Sequence, residues 1–415
     1  MKSKMKTRTK ILICASIVAI VIIIQLITSN VGQGTAMRFE QTGVFIPYNF
    51  DASPSFYSND SNFFFLATRD GVRYIPSDGT PRGSWSHTFS LNRPIMVGRG
   101  DFVAVGEQSG GRRIYVFNAD EGYMYHVDFD VPVLTFSINE TGFLAAVVQY
   151  NTGHGVYVFN QASIGGVDGD WLYSRFEDAE LVYPTAVEVS ANGRYIIVAL
   201  LDLRIRPSTT IQFGYINAID GFITGHMQGL FSEERLDRQL VYAMRFMSDN
   251  RLIVATTSQI VAYQISPRTH GPSVQEEVWD IQLENALTHI DFYGNSYFAY
   301  VLGDRNIGMP DAPPPGTVNI RNAAGARIGT FTLGRRATNL TMGHNALLVG
   351  ADRNFHAVSF NGTHLWEHSS LFDTRTMMFL DNTDTILIAG MNRAEIQERR
   401  RVRVSDFENV WDTED

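Results

Sequence analysis

The first hydrophobic pattern along the chain is unbroken. From Ile11 to Thr28 every residue is apolar except Ser16, Gln25 and Thr28. Eighteen residues at about 1.5 Å each make a helix about as long as the hydrocarbon core of a bilayer is thick, so this run predicts a transmembrane helix. Near residue 50 the pattern changes to short β-type runs split by Gly, Asn and Asp, which predicts many antiparallel strands and no long helix.

Those runs repeat. An alternating apolar strand leads to a turn with Asn, Asp or Gly, then to a second run rich in Ala, Val and Leu, a third strand, and a Gly turn ending on an aromatic. The second strand with its preceding turn occurs eight times, as in SNDSNFFFLAT (58–68), SINETGFLAAVV (137–148), MSDNRLIVATT (247–257) and LDNTDTILIAG (380–390). Successive second strands are centred 38 to 57 residues apart. Four strands at such a period predict an all-β fold, a β-propeller whose blades bury each other's faces. Eight blades are favoured, and a seven-bladed ring with one half-unit merged is the alternative count. The last unit (376–404) shows only three strands, and the strand-like stretch 37–47 could supply the fourth. The resulting division is a basic tail (1–10), a transmembrane helix (11–28), a linker with a closing strand (29–49) and a propeller (50–415).

Two turns carry a family resemblance. Asn361-Gly362-Thr363-His364-Leu365-Trp366 and Ser190-Ala191-Asn192-Gly193-Arg194-Tyr195 resemble the repeat signatures of quinoprotein-like (PQQ-like) and WD40-like/YVTN propellers. With its basic leader and single span, the chain resembles membrane-anchored bacterial propellers of unknown function. That resemblance implies a surface-exposed, non-enzymatic module and names no ligand.

Charge sets the topology. Lys2, Lys4, Lys6, Arg8 and Lys10 precede the apolar run, and no lysine follows Lys10. The positive-inside rule then puts the N-terminus in the cytoplasm and the propeller outside, at the plasma membrane. A cleaved signal peptide ending near Gly34-Thr35-Ala36 is the rival reading. Since the first thirty residues hold five cations and no acid, the formal net charge of -9 leaves -14 on residues 31–415. So acidic a domain would repel a phosphate backbone, which argues against nucleic acid as a partner.

Chemistry is sparse. Cys14, the single cysteine, lies inside the apolar run and reads as a small apolar helix residue, which leaves the propeller without a disulfide or a thiolate metal site. Metalloprotease, nucleophile-elbow and dinucleotide-binding motifs are absent, and no cofactor is expected. His364 and His368 stand at i,i+4, but across a turn and strand they read as surface residues. Asp128/Asp130 and Asp168/Asp170 read as polar turns, the tripeptide Arg99-Gly100-Asp101 has little weight at a strand start, and Asn139, Asn339 and Asn361 begin glycosylation sequons.

One pattern stands out. Arginine follows the second strand in six of the eight units, as Arg69, Arg112 and Arg113, Arg204 and Arg206, Arg305, Arg353, and Arg393. The loops between second and third strands form one face of a propeller, so these guanidiniums should gather around one mouth of its channel. There they could grip an acidic envelope protein or an anionic polymer. The competing reading pairs each with a neighbouring acid such as Asp70, Asp304 or Asp352. Two long loops mark the same face, Gly303–Gly316 and Leu200–Thr210, and Gly229–Leu240 is read as a short helix with Glu234 and Arg238 paired. The expected function is a tethered interaction scaffold. An enzyme or ligand-binding protein using the central channel, or a structural spacer, are the alternatives.

Overall fold

The computed structural model describes residues 35–48, 54–58, 63–80, 82–108, 110–164, 173–177, 181–216, 230–266, 274–305 and 316–403. The apolar run 11–28, Asp168 and Asp170, and positions 306–315 of the proline-rich loop lie outside these. Among the described residues no helix is long and apolar enough to cross a membrane. The chain divides into two compact units, Thr42–Ile396 and a smaller one formed by Met1–Gln41 with Gln397–Asp415. The described residues of the smaller unit, 35–41 and 397–403, belong to the strands Thr35–Pro47 and Arg393–Arg403.

The larger unit is an all-β propeller of eight four-stranded antiparallel blades. Their first strands are Ser55–Ser58, Pro94–Arg99, Val133–Ile138, Val182–Val189, Val241–Ser248, Asn285–Tyr293, Asn339–Gly343 and Thr376–Phe379. Blades 1 to 7 each use four consecutive strands. In blade 8 the order is Thr376–Phe379, Thr385–Ala389, Arg393–Arg403 and then Thr35–Pro47, so the N-terminal strand is its outermost member.

Burial explains why the second strands are continuously apolar. Tyr195–Asp202 and Ala346–Ala351 are buried on both faces because a blade lies on each side. The fourth strands alternate, as Trp85–Thr88 does, because one of their faces meets water. Apolar clusters fill the gaps between blades. Phe65 and Val72 of blade 1 meet Val103 and Phe117 of blade 2, and Met378 and Leu387 of blade 8 meet Phe64 and Leu66 of blade 1, which closes the ring. Each fully buried Phe or Leu is worth about 1.5–3 kcal/mol.

Fourth-strand aromatics add a directional link from blade to blade. The indole Nε1 of Trp85 donates to the Ala119 carbonyl (2.9 Å), that of Trp366 to the Thr383 carbonyl (3.1 Å), and the Tyr125 hydroxyl to the Gly142 carbonyl (2.9 Å). Trp279 stacks on Phe298 with an interplanar angle of 2°. It lies so close to Gly325, at φ +83°, that a Cβ there would sit 2.8 Å from the indole.

The stretch Gly229–Leu240 departs from expectation. Leu230–Asp237 is the fourth strand of blade 4, with Glu233 opposite Gln212 and Asp237 opposite Ser208. Glu233, Arg235 and Asp237 are exposed while Leu236 between them is buried, a period of two that the i,i+4 charge pair concealed.

Candidate functional site

The loops between second and third strands share one face with the connections between blades, and backbone hydrogen bonds join the two. Leu91 N–H donates to the Arg69 carbonyl (3.0 Å), Phe129 N–H to that of Arg112 (2.7 Å) and Ser370 N–H to that of Arg353 (2.9 Å). The arginine-bearing loops are therefore anchored by their main chain, which leaves their side chains to solvent or to neighbours.

Those side chains do not behave alike. Arg113 is forked onto Asp128 of the outer strand of its blade, with Nη2 2.9 Å from Oδ2, so it turns away from the channel. This bond and the Arg113 charge hold the Asp128 carboxyl below the usual carboxylate range. Arg204 clamps Asp202 through Nε (3.0 Å) and Nη2 (2.8 Å), and Asp202 is lowered to about 2 chiefly by that contact. Arg353 binds Asp373 of the next connection at 2.6 Å, rather than the adjacent Asp352. Arg393 meets Glu395 at 2.9 Å and lies 4.5 Å over the Phe372 ring. Arg305 ends the second strand of blade 6 opposite Asn285. Arg69, Arg112 and Arg206 are exposed and have no ion pair among the described residues. The strand order sets these loops midway between the channel-lining first strand and the rim, so the arginines dot the face instead of ringing the channel mouth.

The same face exposes apolar side chains that the sequence did not single out. Ile205 is 91% exposed and Leu371 87%, and Leu181, Tyr183, Leu203 and Leu240 are exposed nearby in sequence or structure. Leu203 N–H donates to the Leu181 carbonyl (2.9 Å) and the Thr209 hydroxyl to the Gln239 carbonyl (2.8 Å), which brings the connections flanking blade 4 against its Arg204–Arg206 loop. Apolar residues rimmed by cations are the composition of a protein-binding patch.

A second arrangement lies in the channel. Its half nearest the first-to-second-strand turns holds a cavity of about 730 Å³, bordered by Tyr57, Arg99, Arg245, Asp291, Phe292 and Met378. Arg99 is only 7% exposed. It crosses from blade 2 to Glu188 of blade 4, Nη2 to Oε2 3.4 Å, and its Nη1 is 3.5 Å from the Phe246 carbonyl of blade 5. The Tyr57 ring lies over Gly98, where a Cβ would sit 2.4 Å away, and its hydroxyl donates to the Gly100 carbonyl (3.0 Å), fixing the backbone on both sides of Arg99. Burial raises the Glu188 carboxyl, opposed by Arg99 and Arg245. Burial, helped by the charge of Arg99, lowers Arg245 to about 10. The Asp291 carboxylate accepts from the Met342 and Phe292 N–H groups, both at 2.8 Å.

These four charges were missed because each looks like an isolated substitution in an apolar strand, and Arg99 was in view only as part of a tripeptide. Read down the repeat, however, Arg99, Glu188, Arg245 and Asp291 all fall just before the first-to-second-strand turn. That shared column was the available signal.

The other candidates resolve simply. His364 and His368 lie on one fourth strand, His364 stacked with Phe331 and His356 beside it at 3.3 Å, and no group of three metal-type ligands occurs among the described residues. His154, at the third unit's arginine position, is buried against Tyr183. Asn139 is 3% exposed, with its amide donating to the Ser190 carbonyl (2.8 Å) and its oxygen accepting from Phe143 N–H (2.8 Å), so this sequon caps a turn and is closed to a glycan.

The chain is similar to the crystal structure of BamB from Moraxella catarrhalis, at 13% identity and a TM-score of 0.48, over 87% of this chain and 98% of that one. No curated protein sequence matches it. The model of DUF5711, a family of unknown function, matches residues 48–398, and the chain belongs to that family.

Proposed function

We propose that this propeller is a non-enzymatic interaction module, tethered to the plasma membrane by residues 11–28 with its N-terminus in the cytoplasm and its blades outside. It binds an envelope protein through the face that carries the arginine loops. The observation that supports this reading is the meeting, around blade 4, of exposed Leu181, Leu203 and Ile205 with the free guanidinium of Arg206. Ile205 at 91% exposure gains nothing from water, and a partner that covers it recovers its transfer free energy. The apolar share of the patch favours a protein with an acidic rim over a polymer that offers charge alone.

Affinity capture tests this. The full chain, displayed on cells and crosslinked, should retain a specific envelope protein. Ile205→Glu combined with Arg206→Glu should abolish that retention without lowering the melting temperature. Equal retention by the double variant would overturn the assignment of the face. Digestion of the propeller by protease added to intact cells checks the topology, and protection of the propeller would reverse it.

A further inference from the structure

The channel cavity contains a guanidinium that the described residues leave without a hydrogen-bond partner. Arg245 makes no hydrogen bond to any described residue, and its buried Nε has no acceptor. Its guanidinium instead stands 5.6 Å from the centre of the Phe292 ring. A guanidinium offers five N–H donors, and with its Nε buried and unmatched and its terminal nitrogens facing the cavity, Arg245 is set to receive an acceptor. Arg99 cannot relieve it, being itself a cation engaged by Glu188 and the Phe246 carbonyl. Asp291 is turned toward backbone N–H groups. Tyr57, Met96, Ile290 and Met378 give the 730 Å³ space an apolar and aromatic wall, and Glu140 and Asn295 stand among the polar groups at its border.

We propose that this cavity binds a small organic monocarboxylate, with its carboxylate on the terminal nitrogens of Arg245 and its apolar body among Tyr57, Phe292 and Met378. The single unengaged donor group selects the class. Two cations, Arg99 and Arg245, stand against the carboxylates of Glu188, Asp291 and Glu140, so the cavity has no surplus of positive charge and the one place for an added anion is the unengaged guanidinium of Arg245. A phosphate dianion would bring a second charge beside the carboxylates of Glu188, Asp291 and Glu140. A carboxylate also fits the planar fork of arginine in a bidentate pair. The cavity borders the turns Gly100, Glu140 and Gly294, on the opposite face from the arginine loops. The inference goes beyond the partner-binding reading and does not depend on it.

The test is calorimetric or ligand-observed NMR titration of the full chain in mild detergent with hexanoate, benzoate and inorganic phosphate. Both carboxylates should bind, and phosphate more weakly. Arg245→Met should weaken the carboxylates about tenfold or more, as expected for losing a charge-assisted pair. Arg245→Lys keeps the charge but not the fork and should weaken them several-fold, which carries the test if the methionine variant folds poorly. Full affinity in a folded Arg245→Lys or Arg245→Met chain, tighter binding of phosphate, or no carboxylate binding by the wild-type chain would each overturn the proposal. None of these outcomes bears on capture of a partner by the loop face.

Discussion

Arg99 and Glu188 form an ion pair between non-adjacent blades, 2 and 4, with 3.4 Å between Nη2 and Oε2. The pair couples first strands of blades that are not neighbours in the ring. Removing one partner leaves the other charge in the cavity. Arg99→Met is therefore expected to cost about 2–3 kcal/mol, below the range for a fully buried pair because the cavity admits water. Glu188→Gln in the same chain should recover at least half of that loss. Urea denaturation of both singles and the double checks it, and simple additivity would show that the two side chains act separately.

The raised Glu188 carboxyl makes stability depend on pH in a definite direction. Its folded-state value lies above the ordinary 4.5, so near and above that pH the folded chain holds a proton that the unfolded chain has released. This group's contribution is greatest below its unfolded value and is lost as pH rises through the folded one. The melting temperature of the wild-type chain, relative to Glu188→Gln, should therefore fall as pH is raised from about 4.5. A constant difference would refute the shift.

Asp202 has the opposite sign. Held down to about 2 by Arg204, it contributes stability that is present above its ordinary 3.8 and lost as pH falls toward 2. Arg204→Ala should remove much of that acid-range slope and cost at most about 1 kcal/mol at neutral pH, since both groups touch solvent. Arg206→Ala should change neither, because Arg206 has no ion pair among the described residues to lose. Acid titrations of the melting temperature separate the two.

Trp366 distinguishes packing from hydrogen bonding at a blade junction. Trp366→Ala should cost about 3–5 kcal/mol, as for other buried tryptophans. Trp366→Phe retains an aromatic ring near Phe379 and loses the bond to the Thr383 carbonyl, so about 1 kcal/mol is expected beyond the change in volume. Chemical denaturation of the two variants gives the comparison.

Much of this architecture was legible because of where each strand sits. Second strands such as 195–202 are apolar from Tyr195 to Leu201 since a blade covers each face, and that signal survives without an alignment. The loop face was legible as well, because turn position fixes it. The partners of its arginines were not. Whether Arg353 meets Asp352 or Asp373 depends on where the next blade's connection passes, which no spacing in the chain records. The channel charges were hidden for a related reason. A lone Glu188 within Thr-Ala-Val-Glu-Val looks like noise until four blades place their corresponding residues around one axis.

Tyr48 marks the seam of blade 8. Its hydroxyl lies 2.9 Å from the Gly390 carbonyl and 2.7 Å from that of Arg393, its N–H donates to the Asn392 carbonyl (3.1 Å), and burial raises the phenol to about 12. Tyr48→Phe should cost about 1–2 kcal/mol and raise hydrogen exchange first in blade 8, not uniformly.

The outer position of Thr35–Pro47 in that blade also fixes an order of events. This strand is made before every other described strand, yet its hydrogen-bonding partner, Arg393–Arg403, is made more than three hundred residues later; the Thr42 hydroxyl and the Ile396 carbonyl it bonds are 354 positions apart. While the intervening blades are made, Thr35–Pro47 is an unsatisfied edge, open to mispairing with another nascent chain. Closing blade 8 must join strands separated by most of the propeller, a contact with a large loop-closure entropy.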